Sequence, residues 1–265
     1  MMSRITPAVK NLIIINILMF LATWALTKYN VNLDDHLALF YFQSPNFHIY
    51  QYVTYMFMHG GFMHILLNMW ALFMFGSALE HVWGSKRFLI FYFVTGIGAA
   101  LIYTLVNYLT FSPMITDAHA FMNTPSPELL RAFIKHYVSS PNRDVYDFIN
   151  KWSEAPKDPQ SINSAINMIN THIADLMNTP TVGASGAIYG LLLGFGMLFP
   201  NTQLMLLFPP IPIKAKYFVL IFGGIELYFS ISQPGDQIAH VAHLGGMIFG
   251  FIMIKMWSKD RNHFY

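Results

Sequence analysis

Long apolar runs separated by short polar connections dominate the chain. Runs of this length predict helices that cross roughly 30 Å of hydrocarbon. The predicted membrane helices cover residues 11–27, 62–79, 88–111, 182–200, 217–231 and 238–257. The first run follows basic residues like a signal peptide, but its length and the lack of a convincing cleavage site favour a retained anchor.

One stretch interrupts this pattern. Residues 112–180 are rich in Asn, Ser and Pro and carry both signs of charge, which predicts an extramembrane, helical insertion between 1–111 (helices one to three) and 181–265 (helices four to six). Ser126 and Asp158 are predicted helix N-caps because each precedes a proline at the first helical position. The helices predicted here cover 126–139, 144–154 and 159–178.

Composition excludes a water-soluble enzyme. Only 11% of the residues are charged, against about 25% in soluble domains, so the predicted fold class is an all-α membrane protein with six transmembrane helices. The chain has no cysteine, which excludes disulfides, thiolate metal sites and cysteine nucleophiles. A formal charge of +2 is too small to indicate nucleic-acid binding.

The distribution of lysine and arginine predicts the orientation. If the N-terminus is cytoplasmic, nearly all basic residues of the short connections lie inside, and the outer connections hold only Lys28. Both termini are then cytoplasmic. We expect a multi-pass protein of the bacterial inner (plasma) membrane, with the lipid bilayer as a partner.

Polar side chains open three of the predicted helices. His64 and Asn68 lie one turn apart on the second, Ser185 opens the fourth, and His243 opens the sixth. Ionisable and polar side chains are costly in hydrocarbon unless they face a partner or a wet cavity. In the predicted orientation these three helices run the same way, so the four side chains share one depth near the outer face.

Glycine stripes indicate which helices pack closely. Gly186, Gly190 and Gly194 recur every fourth residue on the fourth segment, as do Gly246 and Gly250 on the sixth. Two helices in contact through such stripes would hold the Ser185 hydroxyl and the His243 imidazole at hydrogen-bond reach, which is the arrangement of a nucleophile and its base.

The remaining roles follow from this pair. His64, Asn68 and the backbone N–H of Ser185 are candidate oxyanion donors. No acid lies near the helix starts, so we predict a dyad rather than a triad. Tyr189, one turn after Ser185, is predicted to stack on His243.

Alternative interpretations apply to single residues. Gly-Ala-Ser-Gly around Ser185 is also an ordinary helix-packing motif, and Asn68 could merely bridge helices. His240 is a rival base, one turn before His243. Glu226 lies inside the fifth segment, and one acid alone does not establish a proton relay.

Three ordered motifs together resemble the rhomboid intramembrane serine proteases. They are His59-Gly60-Gly61-x-x-His64-x-x-x-Asn68, Gly183-Ala184-Ser185-Gly186 and Ala242-His243-Leu244-Gly245-Gly246. The resemblance implies a six-helix rhomboid-like bundle that cleaves transmembrane protein substrates near their outer end, without a metal or cofactor. It implies Ser185 as nucleophile, His243 as general base and acid, and His64 with Asn68 as oxyanion donors, supported by Tyr189, Gly183, Gly186 and Gly246. The long insertion departs from the minimal family pattern.

Rival functions have weaker support in the sequence. A non-catalytic rhomboid-like factor that binds membrane proteins is the main alternative, although both dyad residues are present. The chain contains neither His-Glu-x-x-His for a metalloprotease nor paired intramembrane aspartates for an aspartyl protease. A transporter ranks last, since the six segments show no inverted pair of broken helices.

Overall fold

Helices form nearly all of the regular structure. The computed structural model describes residues 5–205, 211–232 and 237–261. Its helices are α1 Pro7–Thr27, α2 Asp34–Leu37, α3 Gln51–Thr54, α4 Phe62–Ala71, α5 Ser77–Asn123, α6 Pro127–Tyr137, α7 Arg143–Glu154, α8 Pro159–Met177, α9 Ser185–Leu198, α10 Ala215–Ser232 and α11 Gln237–Arg261, with a 3₁₀ turn at Tyr55–Phe57 and a π-helical turn at Leu72–Gly76. The predicted all-α membrane class is confirmed.

Four of the described helical stretches are long and apolar enough to cross a membrane. They are Pro7–Thr27, Phe62–Asn123, Ala215–Ser232 and His240–Ser258. The second stretch, of 62 residues, contains both the second and the third predicted segments. Gly84 interrupts it with a φ of 74°, a left-handed conformation that glycine adopts readily. The number of six crossings stays a prediction.

The fourth predicted segment is shorter than the sequence suggests. α9 begins at Ser185 and has 14 residues, which at 1.5 Å per residue gives a length of about 21 Å. It starts later than predicted because Gly183 has a φ of 127°, outside the helical region. This late start places Ser185 at the first position of the helix.

α9 and α11 touch backbone to backbone. A Cβ added to Gly246 would overlap the carbonyl oxygen of Gly186 and lie 2.7 Å from its carbonyl carbon, and one added to Gly250 would lie 3.2 Å from the Gly190 oxygen. The predicted glycine stripes therefore face each other in register. Because neither stripe has side chains, residues just beside it on the two helices come within side-chain reach.

Two connections flank this helix pair. The segment between α1 and α4 is tied to the residues before α9, since Leu39 pairs with Thr181 in an isolated β-bridge and the Gly183 N–H donates to the Tyr55 carbonyl at 2.9 Å. Before α10, β1 (Gln203–Met205) pairs antiparallel with β2 (Pro212–Lys214). This strand pair was not predicted, because strands of three residues are too short to show an alternating pattern in the sequence.

The chain divides into two compact units. The first consists of the described residues within 1–42, 46–104 and 180–265, and the second of residues 43–45 and 105–179. In the second unit, α6 and α8 begin where the sequence predicts, with the Ser126 side chain accepting from Leu129 N and the Asp158 side chain from Ser161 N. The buried side chains of this unit include Phe121, Leu130, Phe133, Ile149, Trp152 and Ile169. Its extramembrane position stays a prediction, and the predicted cytoplasmic termini lie outside the described residues.

Replacing Gly246 with alanine tests the packing of α9 on α11. The new methyl group would overlap the Gly186 backbone, so we expect Gly246→Ala to lower the free energy of unfolding by about 1–3 kcal/mol. Thermal unfolding in detergent measures the loss. Gly224→Ala on α10 is the control, because a Cβ there meets nothing within 4 Å. Equal stability of both variants would contradict the backbone contact.

Candidate active site

A serine and a histidine meet where α9 and α11 pack together. Ser185 Oγ lies 2.9 Å from Nε2 of His243, a hydrogen-bond distance. Ser185 opens α9, and His243 precedes the packing glycine Gly246 on α11. The structure therefore brings together the two residues that the sequence analysis paired.

An aromatic ring fixes the plane of the imidazole. Tyr189 follows Ser185 by one helical turn and stacks on His243, with ring centroids 4.2 Å apart and planes 10° from parallel. This contact leaves the edge of the imidazole, with both nitrogens, free to meet polar partners. The stacking predicted from the sequence is present.

His64 and Asn68 lie on α4. A Cβ added to Gly183 would lie 2.8 Å from Cε1 and Nε2 of His64 and 3.7 Å from Ser185 Oγ, so the His64 ring and the serine hydroxyl border the same backbone position. Asn68 is buried, and its Nδ2 has no hydrogen-bond partner among the described residues. A buried, unpaired amide N–H₂ can donate to an oxygen that enters the site.

All these side chains line one cavity of about 570 Å³. α4 contributes His64 and Asn68, and α9 and α11 contribute Ser185, Tyr189 and His243. Most of the remaining lining is apolar and includes Met205 of β1 and Phe218 and Phe222 of α10. The cavity is large enough to admit a peptide segment as well as water.

The structure corrects the prediction that no acid accompanies the pair. Glu226 of α10 is 5% exposed. Its Oε2 lies 3.1 Å from Nδ1 of His243 and 2.6 Å from Nδ1 of His240, and its Oε1 accepts a hydrogen bond from the Tyr189 hydroxyl. The Nδ1 of His243 is close enough for charge pairing, although the contact lacks the alignment of a hydrogen bond. Glu226 was recognised in the sequence as an isolated acid but was not paired with His243, because an acid that orients the base was expected near the helix starts and Glu226 lies in the interior of α10.

The alternative base, His240, has a different partner. Its Nδ1 contacts Glu226, and within the described part of the chain no hydrogen bond joins it to Ser185. Of these two imidazoles, that of His243 is the one within hydrogen-bond distance of the serine. The geometry therefore favours His243 over His240 as the base.

The same three residues could also be considered as a metal site. The ligand atoms of Glu226, His240 and His243 all lie within 4.8 Å of one another. Zinc binds imidazole nitrogen and carboxylate oxygen at about 2.0–2.2 Å in tetrahedral geometry, which separates neighbouring ligand atoms by more than about 3 Å. The 2.6 Å between Glu226 Oε2 and His240 Nδ1 is shorter, so this arrangement fits a direct hydrogen bond rather than a metal centre.

His59 supports the site from outside the helix. Its ring packs edge-on against His64, with centroids 5.1 Å apart. Burial, with a smaller contribution from the neighbouring His64, lowers the pKa of His59 to about 4. The His59 imidazole is therefore neutral at neutral pH and acts as a packing group beside His64.

The fold and the cavity define an all-α membrane protein with a paired serine and imidazole inside the helix bundle. The family model described as the Rhomboid domain matches residues 46–115 and 162–260. The chain belongs to the rhomboid family, which at family level supports an intramembrane protease-type function. Residues 116–161 lie outside the match, a shorter stretch than the predicted insertion.

Two curated relatives match most of the chain. An uncharacterized rhomboid protein, mitochondrial, from Schizosaccharomyces pombe is 24% identical over 82% of this chain and 55% of its own length. RHOMBOID-like protein 12, mitochondrial, from Arabidopsis thaliana is 24% identical over 90% of this chain and 53% of its own length. The chain thus spans about half the length of the curated relatives it matches.

Substitution of Gly183 tests the position of His64. Alanine there is strained at a φ of 127°, and its methyl group would press on the His64 ring. Since misplacement of a site residue by about 1 Å can cost about 100-fold in rate, we expect Gly183→Ala to slow labelling of Ser185 by a fluorophosphonate by about that factor. Gly61→Ala is the control, because its Cβ meets nothing within 4 Å. Labelling of Gly183→Ala at the rate of the control would contradict the placement.

Proposed function

We propose that the protein is an intramembrane serine endopeptidase. It hydrolyses peptide bonds in or next to transmembrane segments of membrane proteins, with Ser185 as nucleophile and His243 as general base and acid. The observation that carries this proposal is the 2.9 Å contact between Ser185 Oγ and His243 Nε2 at the wall of a cavity within a rhomboid-family bundle.

In the first half of the reaction, Ser185 Oγ attacks the carbonyl carbon of the peptide bond while its proton passes to Nε2 of His243. A tetrahedral intermediate forms with a new bond between Oγ and carbon. The carbon–nitrogen bond then breaks, and Nε2 gives its proton to the leaving amine. The acyl group remains as an ester on Ser185.

In the second half, water attacks the ester carbon and its proton passes to Nε2. The bond between carbon and Oγ breaks as Nε2 returns the proton to Ser185, which releases the carboxylic acid product. No cofactor or metal takes part in these steps. Each proton that leaves a nucleophile is held by His243 until the leaving group accepts it.

Donors on α4 are suited to stabilise the negative oxygen of both tetrahedral intermediates. The unpaired Nδ2 of Asn68 and the ring of His64 line the same cavity as Ser185. The N–H of Ser185 is among the free backbone donors at the start of α9, where the helix dipole also favours negative charge. Together they form the proposed oxyanion hole.

The substrate enters sideways from the lipid. One wall of the cavity consists of residues of α10 and of the hairpin before it, and α10 is an apolar helix with many exposed hydrophobic side chains. By family analogy, α10 acts as a gate that admits a transmembrane segment. Substrates with small residues and locally unstable helices near their outer end would reach Ser185 most easily.

The protein is a multi-pass membrane protein, as its long apolar helices indicate. Both curated relatives are named mitochondrial, which does not support the bacterial inner membrane expected from the sequence. The cytoplasmic location of the termini is a proposal that rests on the distribution of lysine and arginine.

Activity is tested with the protein reconstituted together with a single-span substrate bearing small residues near its outer end. We expect cleavage by the wild type and its complete loss in Ser185→Ala and His243→Ala, since each removes a group that exchanges the proton. Ser230→Ala is the matched control, because among the described residues its hydroxyl bonds only to the Leu227 carbonyl of its own helix. Cleavage by Ser185→Ala at the wild-type rate would refute the assignment.

The oxyanion donors have a separate test. We expect Asn68→Ala to lower kcat by about 100-fold to 1000-fold, the usual effect of removing one oxyanion donor, while substrate binding changes little. Single-turnover cleavage measures the chemical step directly. A variant that loses binding but keeps kcat would show that Asn68 serves the substrate rather than the oxyanion.

A further inference from the structure

A buried carboxylate of α10, Glu226, contacts His243 of the proposed Ser185–His243 pair. The two members of that pair lie on α9 and α11. Glu226 lies in the interior of a largely apolar helix. An ionisable residue at such a position is costly and is usually retained for a function. Both carboxylate oxygens have partners, and all of these partners belong to the site or to the turn beside it.

The two oxygens have different roles. Oε1 accepts from the Tyr189 hydroxyl, and the Tyr189 ring stacks on His243. Tyr189 therefore restrains both the acid and the imidazole. This leaves Oε2 directed at the histidine rings, 3.1 Å from Nδ1 of His243.

We propose that Glu226 is a positioning residue for His243, so that the site works as a Ser185–His243–Glu226 triad rather than a dyad. This inference rests on the proposed function. Glu226 does not touch the reacting atoms and acts only through the imidazole.

The tautomer of His243 gives the first reason. To accept the Ser185 proton, Nε2 of neutral His243 must be unprotonated, so the ring proton must be on Nδ1. A carboxylate accepts a proton but does not offer one, so Glu226 opposite Nδ1 favours this tautomer. The opposite tautomer would place a proton on Nε2 and leave no base for the serine.

The charge of the intermediate gives the second reason. When Nε2 takes the serine proton, His243 becomes positively charged in a largely apolar cavity. A carboxylate at 3.1 Å offsets that charge. The same relation between a buried acid and an imidazolium is the role of the aspartate in serine protease triads.

His240 supplies the competing explanation. It is closer to Oε2 than His243 is, at 2.6 Å, so Glu226 could instead serve only as a structural partner of His240. The two explanations predict different effects of His240→Gln. This change removes the imidazole that pairs with Oε2 at residue 240 and leaves the contact of Oε2 with His243 in place.

The test measures kcat and KM for cleavage by the reconstituted full chain. We expect Glu226→Gln to lower kcat by about 10-fold to 1000-fold with little change in KM, because the amide can present its N–H₂ to Nδ1 and reverse the tautomer. We expect His240→Gln to stay within about threefold of the wild type. Equal losses of kcat in both variants would overturn the proposal in favour of a structural ion pair, as would wild-type kcat in Glu226→Gln.

Glu226→Asp separates charge from shape. Aspartate keeps the carboxylate but is one methylene shorter, whereas glutamine keeps the shape and loses the charge. A positioning role predicts that kcat is higher in Glu226→Asp than in Glu226→Gln, and a packing role predicts the reverse. The reverse order would refute the triad.

Tyr189→Phe tests the proposal even if the Glu226 variants do not fold. Phenylalanine keeps the ring that stacks on His243 but removes the hydroxyl that holds Oε1. We expect kcat to fall by about 2-fold to 10-fold with KM unchanged, because Oε1 loses the hydrogen bond that holds it while the carboxylate stays beside His243. An unchanged kcat in Tyr189→Phe would contradict the restraint.

Failure of the proposed function has a different signature. If the wild type does not cleave, or if Ser185→Ala cleaves equally, the endopeptidase assignment fails. The triad rests on that assignment and fails with it. If cleavage depends on Ser185 and His243 but not on Glu226, only the triad fails.

Discussion

The backbone contact between Gly186 of α9 and Gly246 of α11 is the constraint on which the site depends. Because neither residue has a side chain, the two helices approach until a Cβ on Gly246 would overlap the Gly186 carbonyl. This approach fixes the distance between the adjoining side chains, Ser185 and His243, at 2.9 Å. The same small-residue contact that packs helices in membranes therefore also sets the reach of a nucleophile and its base.

Two features of the fold were predicted from the sequence because they depend on local chemistry: the packing of α9 on α11 and the starts of α6 and α8. The glycine period of four residues predicted which faces of α9 and α11 meet, because only glycine allows that approach. The caps at Ser126 and Asp158 predicted the starts of α6 and α8, because a capping side chain and a proline at the first position act locally. The start of α9 was predicted too early, since a left-handed Gly183 depends on the packing of its neighbours.

The residues of the candidate site that belong to sequence motifs could be predicted. The residue whose position depends on how helices pack against each other could not. His64, Asn68, Ser185 and His243 lie within the first two turns of their helices, in motifs with recognisable spacing. Glu226 has no such motif, and its approach to His243 depends on the rotation of α10, which the helical period alone does not determine. The available signal was the cost of an isolated acid in an apolar helix, and that signal points to a function without naming the partner.

The most direct test of the account is a structure of the protein after reaction with a fluorophosphonate, which mimics the tetrahedral intermediate. The account predicts a bond from phosphorus to Ser185 Oγ, with a phosphoryl oxygen within about 3 Å of Nδ2 of Asn68. An adduct on another serine, or a phosphoryl oxygen directed away from α4, would contradict it.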